Sequence, residues 1–87
     1  MDNLMFPFIP FKTTPEEIEH LKVIIEEMKV VGIDERFISY ASEYARIDQG
    51  MFDLIDLWSQ EQNSVEKQNI LNDIQQGIDD LNSYFFD

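Results

Sequence analysis

Apolar residues recur at helical spacing over most of this 87-residue chain. Ile18, Leu21, Ile25 and Met28 fall three and four residues apart, and Ile24 and Val31 widen them into one buried stripe. The start of that helix is marked by Thr14-Pro15-Glu16-Glu17. Threonine caps, proline takes the first helical position, and Glu17 completes a capping box three residues on. Gly32 is a natural stop. Val23 and Val30 lie off the stripe among Glu19, Glu26 and Glu27. They read either as a weak apolar contact strip or as ordinary exposed valines.

A second run begins after Asp34, a capping residue followed by Glu35 in the first turn. Phe37, Tyr40, Tyr44, Ile47, Met51, Leu54 and Trp58 alternate spacings of three and four, and the phase persists across Asp48-Gln49-Gly50. Preserved phase predicts one long middle helix through about residue 61, kinked at Gly50 and about 40 Å long. The alternative is two helices joined at 48–50. A last start signal lies at Asn63-Ser64-Val65-Glu66, with Asn63 or Ser64 as the cap. Ile70, Leu71, Ile74, Ile78, Leu81 and Phe85 then define a narrow stripe. Its outer face carries amides rather than charges: Gln68, Asn69, Asn72, Gln75, Gln76 and Asn82.

Residues 1–13 follow a different pattern. Phe6, Phe8, Ile9 and Phe11 are interleaved with Pro7 and Pro10. Proline biases itself and its predecessor away from helix, so this segment is expected to be an extended apolar arm. It either packs back over the helices or docks onto a partner or a second copy. The expected fold is all-α: a small antiparallel bundle in one domain over 14–87, with three helices and a long middle one, or four. Connections are expected at 32–33 and about 62–63. The middle helix should pair with the C-terminal one, and the shorter first helix should lie across them. A homodimer would cover any part of the middle helix's seam left open.

Composition adds limits. Three glycines and three prolines are too few for an all-β chain full of tight turns. The first residues lack a basic region and are interrupted by proline, so they do not read as a secretory signal. No apolar stretch approaches the roughly 20 residues of a membrane span. The absence of cysteine removes disulfide and thiol chemistry and fits a reducing compartment. A cytoplasmic protein is expected.

Charge changes the picture most. The formal net charge is −12 in 87 residues. Residues 1–46 hold nine acids and five bases, whereas residues 47–87 hold nine acids and only Lys67. Such a chain repels nucleic-acid backbones and anionic membranes and attracts basic proteins. The same charge also serves plain solubility. Asp79, Asp80 and Asp87 sit toward a helix end that normally prefers cations.

Chemistry is sparse. One histidine, no cysteine and no G-x-S-x-G motif leave nucleophilic catalysis without its parts. The glycines at 32, 50 and 77 are isolated and make no phosphate loop. Asp48-Gln49-Gly50 lacks the spaced ligands and closing glutamate of a calcium loop. Glu17-Ile18-Glu19-His20 has the Glu-x-x-His spacing of di-iron carboxylate bundles, but those need it twice, and here only a symmetric oligomer would supply the second. Neither an enzyme nor a cofactor is expected.

The reading that follows is a small non-enzymatic binder that neutralises or inhibits a basic protein, of the immunity, antitoxin or phage-inhibitor type. Carboxylates three and four apart on a helix stand roughly 5–6 Å from each other at Cβ, near the spacing of successive phosphates, so nucleic-acid mimicry is geometrically possible. Asp53, Asp56, Asp73, Asp79 and Asp80 are the candidate electrostatic contacts. Phe6, Phe8, Phe11 and Trp58 are the apolar ones, with Trp58 as an anchor if exposed and a core residue otherwise. The alternatives are a helical adaptor that self-associates through its arm and seam, and an oligomeric metal-binding protein using the Glu-x-x-His.

Overall fold

A computed structural model describes residues 13–86 and gives four helices in order: α1 (Pro15–Val30), α2 (Glu35–Ala45), α3 (Gln49–Gln60) and α4 (Ser64–Phe86). Local chemistry accounts for most of the ends. At the start of α1, the Glu17 N–H donates to Thr14 Oγ1 at 3.2 Å and the Thr14 N–H donates to the Glu17 carboxylate at 2.8 Å, which closes the capping box. α1 stops at Gly32, whose φ of 88° suits glycine. There the Gly32 N–H donates to the Lys29 carbonyl and the Ile33 N–H to the Met28 carbonyl, the paired bonds of a Schellman turn. Asp34 occupies the cap position of α2 without a side-chain capping bond. Asn63 caps α4, its Oδ1 accepting from the Val65 and Glu66 N–H groups at 2.9 and 3.0 Å.

The middle of the chain is two helices, not one long one. α2 ends at Ala45, and Arg46 and Ile47 turn. Asp48 then takes an extended backbone (φ −130°, ψ 120°) that no continuing helix adopts. Its carboxylate accepts the Met51 N–H at 2.9 Å, which supplies α3 with its own N-cap. Gly50 lies inside the first turn of α3 and is not a kink. The unbroken three-and-four spacing was a coincidence of two helices. Tyr40 and Ile47 are about 40% exposed (41% and 40%), while Ile38, Ala41 and Ala45 of α2 and Phe52 and Ile55 of α3 enter the core.

The α2–α3 pair is flanked by the other two helices: α1 packs on α2 and α3, and α4 packs on the same two from the other side. α4 runs antiparallel to α3, with Gly77 beside Met51 and Lys67 beside Trp58. Leu21, Ile24, Met28, Ile38, Ile55, Trp58, Ile74, Ile78 and Leu81 are among the residues of one shared core. Trp58 is thus a core residue, 3% exposed. Lys67 lies 3.8 Å from its ring centroid and donates to its carbonyl. The expected arm, with Phe6, Phe8 and Phe11, lies outside the described residues apart from Thr13.

Candidate protein-binding surface

Burying Ile70, Ile74, Ile78 and Leu81 fixes the rotation of α4 and splits its polar residues between two flanks. Asp73, Gln76 and Asp80 line the side toward α3. Asp79, Gln75 and Asn82 line the side toward α2, with Asp34 and Arg36 nearby. On α3, Gln49, Asp53, Asp56 and Gln60 follow one another at helical spacing along the side away from the buried Met51, Ile55 and Trp58.

Most of these carboxylates are held by amides. Gln49 donates to Asp53 at 3.0 Å, Gln60 to Asp56 at 2.9 Å, Gln75 to Asp79 at 3.1 Å and Gln76 to Asp80 at 3.0 Å, each four residues apart on its helix. A neutral donor orients a carboxylate and leaves its charge in place. On α1 the arrangement differs: Glu19 pairs with Lys22 at 3.3 Å and Glu26 with Lys29 at 3.5 Å, which cancels charge locally.

Asp56 has a second role. His20 Nε2 and Asp56 Oδ1 lie 2.6 Å apart and tie α1 to α3, with the His20 ring tilted over Phe52 at 6.3 Å. Glu17 is turned into the α1 cap, so the two residues of the Glu-x-x-His face different partners. Among the described residues, no group of three or more acids and histidines is placed to hold a metal ion.

The five aspartates therefore do not share a face. Asp73 and Asp80 lie together on the α3–α4 side, Asp79 is across α4, and Asp53 and Asp56 follow another side of α3, where Asp56 meets His20 of α1. Trp58 is withdrawn into the core, and the three phenylalanines of the arm are outside the described residues.

Two features were not anticipated from the sequence. The first is a groove of about 350 Å³ between α3 and α4, lined by Asp48, Gly50, Met51, Leu54, Asp73, Gln76, Gly77 and Asp80. The sequence offers only two isolated glycines inside helical stretches, and nothing in it relates one to the other. The second is an aromatic cluster where α2 meets the end of α4. Tyr40 stacks on Tyr44 at 6.4 Å, Tyr44 on Phe85 at 6.1 Å, and Tyr84 meets Phe85 edge-on at 4.9 Å. The Tyr44 hydroxyl donates to Asn82 Oδ1. Burial, followed by the neighbouring Tyr40 and Glu43, raises the Tyr44 pKa above its ordinary value of 10.0.

The described residues form an all-α bundle of four helices, with amide-bonded carboxylates spread over α3 and α4 and an apolar groove between those two helices. No helix among the described residues is long and apolar enough to cross a membrane. No protein-family model, curated protein or solved structure matches the chain.

Proposed function

We propose that this protein is a non-enzymatic binding module that neutralises or inhibits a basic protein, covering that partner's cationic surface with its own carboxylates. The observation that carries this reading is the amide-held acid set of α3 and α4. Solubility needs charge but no particular aim. Here glutamines four residues away orient Asp53, Asp79 and Asp80 with neutral donors, while Asp56 is shared between Gln60 and His20. Pre-oriented charge lowers the ordering cost of association and raises the rate of encounter with an oppositely charged surface. The same field works against nucleic acid and anionic lipid as direct ligands. A chain without cysteine suits work in the cytoplasm.

A second reading, a self-associating adaptor, draws support from the aromatic end. Tyr40, Tyr84, Phe85 and Phe86 are exposed there, an apolar area of the kind that docks other surfaces. Salt separates the two. The tagged protein is incubated with lysate of its source organism and washed at about 0.15 M and then about 0.5 M salt, since screening weakens exposed ionic contacts and spares apolar ones. A stoichiometric basic protein released by the second wash is the expected result. Retention of the chain's own copies alone, indifferent to salt, would favour the adaptor.

A further inference from the structure

We infer that the α3–α4 groove seats a basic amphipathic helix of the partner, with cations two turns apart on either side of an apolar residue. This rests on the binder reading and gives it a location and a ligand chemistry.

The groove is made by two of the chain's three glycines, and the two do different work. At Gly77, an added Cβ would come within 2.8 Å of Met51 Cε, so the glycine lets α4 close onto α3 and leaves bare backbone in the groove. At Gly50, an added Cβ would meet Asp48 Oδ2 alone among the described residues, at 3.4 Å. Gly50 also has no positive φ. Among the described residues, neither packing nor backbone geometry thus demands glycine at residue 50. What its small size preserves is the opening of the groove.

Met51 is fully buried and Leu54 half-buried, so the floor is apolar. Leu57, one turn beyond Leu54, is 50% exposed. Asp73 and Asp80 stand on the rim seven residues apart, a rise of roughly 10 Å. Gln76 lies between them and donates to Asp80. A facing helix carries side chains at the same pitch, so Lys or Arg at i and i+7 meets both carboxylates. An apolar residue at i+3 or i+4 then comes over Leu54 and Gly77. The aliphatic stems of the cations cover the floor while their heads reach the rim. A second copy of this chain is a poor occupant, because its charge of −12 opposes the rim.

The probe is a fluorescein-labelled synthetic helix with Lys at i and i+7 and Leu at i+3 and i+4. A scrambled peptide of the same composition is the comparison. Both are titrated with the full chain at about 0.1 M salt and followed by anisotropy. The patterned peptide should bind at least about tenfold tighter than the scrambled one, because only it places the apolar residue between the cations. Gly50→Leu, which fills the opening, should weaken binding by about tenfold, as should the pair Asp73→Asn and Asp80→Asn. The pair Glu16→Gln and Glu43→Gln removes equal charge from exposed positions on α1 and α2, outside both the groove and the amide-held set, and should change binding by less than about twofold. The isosteric aspartate variants decide the matter if Gly50→Leu fails to fold. Equal weakening by both pairs, or equal binding of both peptides, would overturn the groove and leave the binder standing. Failure of both peptides to bind would overturn the groove and count against the binder as well.

Discussion

Asp48 and Tyr44 show how far a single residue sets this structure. Asp48 is 1% exposed and its carboxylate caps α3, so removing it uncaps a helix at the point where the chain reverses. Asp48→Ala should cost about 1–2 kcal/mol and Asp48→Asn much less, because asparagine caps about as well. Urea unfolding followed by the fluorescence of Trp58, the chain's one tryptophan, measures both. Tyr44 has a folded-state pKa raised above 10.0, so the neutral phenol is the form the fold favours. Its contribution is complete below pH 10 and is lost as pH rises through the folded pKa, because the unfolded state releases the proton first. Tyr44→Phe should cost about 1 kcal/mol near neutrality, for the hydrogen bond to Asn82. It should also flatten the fall in stability above pH 10. An unchanged slope in the variant would place the titration elsewhere.

Helix starts were legible because Thr14 and Asn63 make their capping bonds to neighbours only two or three residues away. The break at Arg46–Asp48 was hidden for the opposite reason. The sequence shows spacing along a chain, whereas Tyr40 and Ile47 became outward-facing only once α2 and α3 took separate directions. The groove was equally out of reach. Gly50 and Gly77 are 27 residues apart, and their relation exists only after α4 folds back on α3. The two positions now separate by experiment. Gly50→Ala should be neutral or stabilise by up to about 1 kcal/mol, since alanine favours helix and the site has room. Gly77→Val should destabilise by about 1–3 kcal/mol, because its Cβ alone falls 2.8 Å from Met51 Cε and its branches must displace that buried side chain. Thermal melts of both variants check the contrast, and the reverse order would mean that the close approach at Gly77 is misplaced.

Over the whole molecule, the charge opposes the fold while favouring a basic partner. The four helices share one core against a net charge of −12, and like charges on a compact body repel. Raising salt from about 0.02 M to about 0.5 M should therefore raise the melting temperature, since the repulsion is screened. A melting temperature that falls with salt would mean that attractive pairs such as His20–Asp56 outweigh the repulsion. Architecture was readable from periodicity and capping residues, and the excess of acids over bases after residue 46 from composition. Their aim was not, because the glutamine bonds depend on the rotamers chosen in the folded state. The most direct test compares the wild-type chain with a variant carrying Asp53→Asn, Asp73→Asn, Asp79→Asn and Asp80→Asn, both used to capture partners from lysate of the source organism. These substitutions preserve shape and remove charge. The expected result is one basic protein, stoichiometric on the wild-type chain, released by high salt and absent from the variant. The same partner held equally by both chains would contradict a charge-driven binder.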